Sequence, residues 1–214
     1  MAEFIVGYPL RKIARRHEFL RRLLWRIDFA LLWSLITLFR MLPVDWASEF
    51  GARVGAVVGP LMRFKTTIVE QNYRVAFPEK SPDEIRRLAK ASWSNAFRII
   101  SEYPHLDHIA KDSSRVAIVV DGREPDPTFL GNNRPAILVG AHVNNWELSG
   151  AALSRLGIAN SALYSPPSNP WLDRMLREAR AAHKSELIPR DNSARILVKR
   201  LTAGRVIGML VDRE

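Results

Sequence analysis

The chain has 214 residues, no cysteine, and a formal net charge of +10 at pH 7 from 32 basic and 22 acidic side chains. The lack of cysteine excludes disulfides, thiolate nucleophiles and zinc–cysteine sites, and does not suggest secretion. At this length we expect an N-terminal arm over residues 1–65, followed by one α/β domain over residues 66–214.

The N-terminal arm is basic and carries an apolar run. Arginine and lysine outnumber acidic residues up to Arg40. As a helix, the run Phe29–Phe39 would be about 16 Å long, short of the roughly 30 Å hydrocarbon core of a bilayer. A span from Leu23 to Leu42 would enclose charged side chains, although Trp25 and Trp46 bracket it like interfacial anchors. We therefore expect a membrane anchor, spanning or interfacial, with a cytoplasmic N-terminus; a buried amphipathic helix is the alternative.

Three glycines recur every four residues, at Gly51, Gly55 and Gly59. If the segment is helical, they form one small-residue stripe that lets a second helix approach closely. A turn-rich segment is the alternative, because Pro60 follows directly.

A second helix is predicted from Ser81, where Ser81-Pro-Asp-Glu84 is a capping-box signature with proline at the first helical position. Its apolar residues recur at helical spacing and are expected on or near one face. They are Ile85, Leu88, Ala89, Trp93, Ala96, Phe97 and Ile100.

Strands and helices are predicted to alternate in the remainder of the chain, which indicates an α/β fold with a largely parallel sheet flanked by helices. The predicted strands are Arg115–Asp121, Pro135–Ala141 and Arg205–Val211. The predicted helices start near Asn145 and cover Trp171–Ala182 and Ser193–Thr202, and a loop covers Gly122–Arg134. The uncharged second strand is expected to be covered on both faces.

His142 and Glu147 follow that second strand, where the carboxyl ends of parallel strands bind ligands. A histidine can accept a hydroxyl proton near neutral pH, and a carboxylate can fix its tautomer and stabilise the imidazolium. Asn145, expected to cap the next helix, its neighbour Asn144 and the helix-start N–H groups could stabilise an oxyanion.

The spacing of His142 and Glu147 is weak evidence by itself, because such a pair is more often an ordinary ion pair. The sequence contains no glycine-rich phosphate loop and no His-Glu-x-x-His run. His105 and His108 lack a third ligand at a typical spacing, which argues against a metal site. The remaining hypothesis is an acid/base enzyme without cofactor or metal.

From about Glu70 onward, the chain resembles the lauroyl and myristoyl acyltransferases of lipid A biosynthesis, which are lysophospholipid acyltransferase-like. Their motif of a histidine, four residues and an acid stands here as His142-Val-Asn-Asn-Trp-Glu147. Two further blocks occur in the same order: Asn72-Tyr-Arg-Val-Ala-Phe-Pro78 and Tyr164-Ser-Pro-Pro-Ser-Asn-Pro-Trp-Leu-Asp173. Several ordered blocks are more specific than any single one.

The resemblance implies a glycerolipid acyltransferase-like fold and an O-acyltransferase at the cytoplasmic face of the inner membrane. The donor would be an acyl carrier protein thioester, or less readily coenzyme A, and the acceptor a hydroxyl of a lipid A-type glycolipid. His142 and Glu147 would be the catalytic residues. Arg180 and Asp212 stand where the family has a functional arginine and aspartate, so they are predicted to bind substrate together with Asn145.

The sequence departs from the family pattern in places. Asn144 replaces the usual glycine after the histidine, and asparagine tolerates left-handed backbone better than most residues. The family continues beyond the position of Glu214, so the α/β domain is expected to be incomplete relative to it. Two other classes stay open: a catalytically incomplete membrane protein that binds anionic lipid, and a nucleic-acid-binding protein. No recognition motif supports the latter, and we predict no nucleic-acid partner.

Overall fold

The computed structural model describes residues 10–119, 135–181 and 185–211. The chain forms two compact units. The first unit consists of Met1–Ser34 and Leu106–Glu214, and the second unit is Leu35–His105. The described helices are α1 (Arg11–Ala14), α2 (Glu18–Arg40), α3 (Val44–Leu61), α4 (Arg63–Ala76), α5 (Pro82–Glu102), α6 (Leu106–Lys111), α7 (Leu148–Arg155), α8 (Pro170–Ala181) and α9 (Ala194–Thr202). The strands are β1 (Ala136–Gly140), β2 (Asn160–Tyr164), β3 (Glu186–Pro189) and β4 (Val206–Leu210).

The first unit contains a four-stranded sheet in the order β1-β4-β2-β3, with all neighbouring strands parallel. Helix α7 packs against β2, and α9 packs against β4. The predicted α/β class with a parallel sheet and flanking helices is therefore confirmed.

Two of the three predicted strands are present, as β1 and β4, each trimmed by a residue at either end. The predicted strand over 115–121 is wrong for its described part, since residues 116–119 have no regular structure. Its last two residues and the predicted loop over 122–134 lie outside the described residues. Strands β2 and β3 were not anticipated.

Among the described strands, β1 lies at an edge of the sheet. The prediction that both its faces are covered is wrong, because one face is exposed. The side chains of Ile137 and Val139 point to one face and are 52% and 62% exposed. Buried apolar residues of the sheet lie instead on the inner strand β4, where Val206 and Ile207 are 1% and 0% exposed, and on β3, where Ile188 is 2% exposed.

A charged cluster ties the amino-terminal edge of the sheet together. Arg200 donates to both carboxylate oxygens of Glu186, with Nε at 2.7 Å from Oε2 and Nη2 at 2.6 Å from Oε1. Ser161 on β2 donates to Glu186 at 2.8 Å, and Arg205 donates to Ser161 at 3.0 Å. These donors, Arg200 foremost, lower the pKa of Glu186. The cluster joins α9, β2, β3 and the residue that precedes β4.

The second unit is built around the contact of α3 with α5, which confirms the close-packing glycine stripe and excludes the turn-rich alternative. A Cβ atom at Gly55 would lie 2.4 Å from the carbonyl oxygen of Trp93, and one at Gly59 would lie 2.2 Å from Trp93 Cγ. One at Gly51 would lie 2.3 Å from the hydroxyl of Ser101. Helix α3 continues through Pro60 to its end at Leu61.

Helix α5 starts as the sequence predicts. The Glu84 backbone N–H donates to the Ser81 hydroxyl at 3.4 Å, and the Glu84 carboxylate accepts from the Ser81 backbone N–H at 2.8 Å. Among the predicted apolar positions Ile100 is exposed, and its neighbour Ile99 is buried in its place.

The predicted N-terminal anchor corresponds to α2, which is 23 residues long. Over the residues that the structure describes, no helix combines the length and the apolar character needed to cross a bilayer. The spanning form of the predicted anchor is thus not found there, and the interfacial form remains a prediction.

Candidate functional site

The carboxyl ends of the parallel strands form one edge of the sheet, and the motif blocks that begin at His142 and Tyr164 stand at the ends of β1 and β2 there. The block Asn72–Pro78 belongs to the second unit. Gly140 at the end of β1 is level with Leu210 at the end of β4. The Val211 backbone N–H donates to the Gly140 carbonyl oxygen at 3.1 Å, which extends the pairing one residue past the end of β4. His142 follows β1 at this edge. Asp212, the predicted partner from the end of β4, lies outside the described residues.

The turn after His142 depends on a left-handed residue. Asn144 has φ 43°, a backbone conformation that asparagine adopts more readily than most residues with a side chain. The Val143 N–H donates to the Ala141 carbonyl at 2.8 Å, which tightens the turn. The half-buried His142 ring then meets the Trp146 ring edge-on, with centroids 5.0 Å apart. The local backbone therefore explains why glycine or asparagine suits position 144.

Helix α7 begins later than predicted. It starts at Leu148 with Glu147 at the N-cap position, and no side chain caps it. Asn145 instead belongs to the preceding turn, where its carbonyl accepts from the Leu148 N–H at 3.2 Å. The prediction that Asn145 caps the helix is wrong, because the turn at 145–147 delays the first helical residue.

Glu147 forms a two-point ion pair with Arg180 of α8. Arg180 Nε lies 2.9 Å from Oε2 and Nη2 lies 2.5 Å from Oε1, so both carboxylate oxygens accept a hydrogen bond. The Glu147 side chain is only 8% exposed. A paired guanidinium and carboxylate in this fork geometry hold each other in a fixed orientation. The arginine predicted to bind substrate is therefore also a positioning partner of the predicted catalytic acid.

Tyr164, the last residue of β2, lies at the same carboxyl edge of the sheet. The Tyr164 hydroxyl donates to Asp173 at 3.3 Å, and Arg177 pairs with the same carboxylate at 3.1 Å. Burial, and then the neighbouring Asp173, raise the pKa of Tyr164. The phenol therefore stays protonated as a donor over the physiological pH range.

The Asn169 side chain fixes the start of α8, within the motif block that ends at Asp173. Its side-chain oxygen accepts from the Trp171 N–H at 3.1 Å, and its amide nitrogen donates to the Trp25 carbonyl at 2.9 Å. The side chain is buried, so one amide both caps α8 and fastens it to α2. Sequence reasoning assigned no role to Asn169, although asparagine before proline is a recognisable helix-start signal.

The structure thus brings His142, Glu147 and Arg180 to the carboxyl edge of the sheet, with Asn145 half-buried in the turn between the first two. Sequence reasoning did not foresee that Arg180 would contact Glu147, since 33 residues separate them. The arrangement offers an imidazole and a fixed carboxylate beside the start of a helix, which are groups suited to proton transfer.

Comparison with known proteins decides the family. The family model described as bacterial lipid A biosynthesis acyltransferase matches residues 15–214. The chain belongs to this family. The match to the family model includes the whole described sheet and every residue of the candidate site, Asp212 included.

Two curated relatives match the chain at the same level. Over 207 residues it is 24% identical to the lipid A biosynthesis palmitoleoyltransferase of Escherichia coli strain K12 and to the lipid A biosynthesis acyltransferase of Shigella flexneri. The alignment covers 97% of this chain and 66% of each relative. The chain therefore spans just under two thirds of the length of these relatives.

Proposed function

We propose that the chain supplies the catalytic edge of an O-acyltransferase that moves a fatty acyl group from a thioester donor to a hydroxyl of a lipid A-type glycolipid. One observation carries the proposal: the family's histidine–acid pair stands at the carboxyl edge of a parallel sheet, with the acid held in place by Arg180.

The reaction needs one base and no covalent enzyme intermediate. The His142 imidazole removes the proton of the acceptor hydroxyl as its oxygen attacks the thioester carbonyl carbon. The tetrahedral intermediate collapses, the carbon–sulfur bond breaks, and the leaving thiolate takes the proton from the imidazolium. Glu147 stabilises the imidazolium, and Asn145 and the N–H groups before α7 stabilise the oxyanion. Asp212 is proposed to bind the acceptor.

Acyl carrier protein is the proposed donor carrier. Such carriers are acidic, and the chain has a net charge of +10, so complementary charge favours their encounter. Coenzyme A carries the same thioester and is the alternative donor.

The proposed location is the cytoplasmic face of the inner membrane. Helix α2 supports an interfacial orientation, because Phe19, Leu23, Ile27 and Leu31 recur every four residues and are all exposed. A helix with such a stripe and basic neighbours binds at the surface of an anionic bilayer.

The function is tested by incubating the chain with an acyl carrier protein thioester and a lipid A precursor in mixed micelles. Mass spectrometry should show one acyl chain added to the precursor and an equal amount of free carrier thiol. The same acyl group on coenzyme A should react more slowly. Release of thiol without acylated lipid would identify a thioesterase and contradict the proposal.

Arg180 is predicted to act through Glu147, and its replacement tests that role. Arg180→Lys keeps the charge but cannot make both hydrogen bonds, so Glu147 loses its fixed orientation. We expect kcat to fall by about 10- to 100-fold, as displaced catalytic groups do, with KM for the acceptor changed much less. Steady-state kinetics with varied acceptor separates the two parameters.

The matched control is Arg174→Lys on the same helix, where the exposed arginine pairs with Glu178 at 2.8 Å. It should leave both parameters near the wild-type values. A raised KM with unchanged kcat for Arg180→Lys would assign the arginine to substrate binding alone.

A further inference from the structure

A cavity of about 340 Å³ lies within the first unit, between the start of α2 and the start of α8. Its size is at the lower end of the roughly 300–1,000 Å³ of small-molecule sites, enough for a headgroup but not for long acyl chains. Charged and aromatic side chains line it: Glu18, Arg21, Arg22, Trp25, Arg26 and Trp171.

The cavity has more positive than negative charge. Glu18 pairs with Arg22 at 2.5 Å and balances that arginine. Within the described part of the chain no carboxylate pairs with Arg21 or Arg26, which instead pack over Trp25 and Trp171, at 5.3 and 5.7 Å from the ring centroids. Two cations therefore face the cavity without a compensating anion among the described side chains.

Arg21 also carries a buried donor. Its Nε atom is inaccessible to solvent and has no hydrogen-bond partner. A buried N–H without an acceptor is unfavourable. Because solvent cannot reach the Nε atom, it can meet a ligand acceptor only when the Arg21 side chain turns toward the cavity that it lines. A phosphate group offers several oxygen acceptors and matches the planar fork of a guanidinium.

The surroundings favour a phosphate that is part of a lipid. Helix α2 carries two neighbouring rows of side chains. The exposed apolar row is Phe19, Leu23 and Ile27, and each of its residues directly follows a residue of the charged row Glu18, Arg22 and Arg26. The two rows are about 100° apart around a helix of 3.6 residues per turn. A phospholipid can therefore place its phosphate among the arginines while its chains follow the apolar row.

We propose that this cavity binds the phosphate headgroup of an anionic membrane lipid. Asn169 keeps the site formed, because its buried amide joins the Trp25 carbonyl to the Trp171 N–H. The site is separate from the residues proposed for acyl transfer, so it does not rest on that function.

The test is binding of dihexanoyl phosphatidic acid below its critical micelle concentration, followed by the fluorescence of the tryptophans. The double variant Arg21→Gln/Arg26→Gln should weaken binding by at least about tenfold through loss of charge-assisted hydrogen bonds. Arg40→Gln/Arg53→Gln removes the same charge at exposed positions outside the cavity and should change affinity by less than about twofold. Circular dichroism confirms that each variant is folded.

Arg21→Lys keeps the charge but replaces the planar guanidinium fork by an ammonium group, so an intermediate affinity is expected even if the double variant unfolds. If the cavity and control variants weaken lipid binding equally, binding depends only on the total charge of the protein, and the proposal is overturned. Inorganic phosphate that competes as strongly as the lipid, or dihexanoyl phosphatidylcholine that binds equally well, would overturn the assignment to an anionic lipid.

Discussion

His142→Ala should lower the rate of acyl transfer by about 10²- to 10⁴-fold, which is the usual contribution of a general base. The half-buried ring is held at the carboxyl edge of the sheet by the turn at Asn144 and by the edge-on contact with Trp146. Alanine removes the proton acceptor but leaves the strand, the turn and the acyl-binding surfaces intact. The loss should therefore fall mainly on kcat, measured with saturating thioester and acceptor.

The matched control for this variant is His108→Ala, because His108 is exposed on α6 and belongs to no part of the proposed site. It should transfer at the wild-type rate. Glu147→Gln should lose activity to a smaller extent than His142→Ala, since it removes a stabilising charge and not the base itself. Near-normal transfer by His142→Ala would eliminate the proposed mechanism while leaving membership of the family untouched.

The second large effect concerns stability. Gly55→Ala should lower the free energy of unfolding by about 1–3 kcal/mol, the usual cost of overpacking. In an exposed helix the same change would raise the free energy of unfolding by about 1 kcal/mol. The sign of the measured change therefore shows whether Gly55 is closely packed against α5. The new Cβ would meet the Trp93 carbonyl oxygen at 2.4 Å and Phe97 Cβ at 2.7 Å. This steric clash can be relieved only if the backbones of α3 and α5 move apart.

The control for this prediction is Gly208→Ala on β4, where an added Cβ meets no atom within 4 Å. Thermal unfolding followed by circular dichroism should show a clear fall in Tm for Gly55→Ala and little change for Gly208→Ala. A Gly55→Ala protein as stable as the wild type would mean that the two helices are not in close contact.

Features governed by local sequence were predictable. The capping box of α5 needs only Ser81 and Glu84, and the glycine spacing in α3 needs only a helical repeat. Strands β1 and β4 are short apolar runs bounded by turn residues, so their composition identifies them. Each of these signals lies within a few residues of the element that it predicts.

Strands β2 and β3 escaped prediction because their strand character comes from their partners. Ser161 is fully buried although it is polar, and it is satisfied by the Glu186 carboxylate and by Arg205. Pro189 ends β3 at the opposite edge of the sheet from β1, where a missing N–H costs little. When the neighbouring strands are not known, a polar residue or a proline in a short segment favours a loop prediction.

The candidate site shows the same division. The spacing of His142 and Glu147 and the resemblance to the family predict both as the catalytic pair from sequence. The exposure of Ile137 and the ion pair of Glu147 with Arg180 depend on which strands and helices become neighbours. Periodicity along one segment carries no information on either.

The position of β4 between β1 and β2 has a consequence for biosynthesis. As a ribosome extends the chain, β1, β2 and β3 emerge first, and neither β1 nor β2 has its central neighbour. Only when residues 206–210 leave the exit tunnel can the inner strand insert and join the two halves. The nascent polypeptide must therefore keep the bare edges of β1 and β2 apart from other chains until that moment, a period in which a chaperone would be most useful.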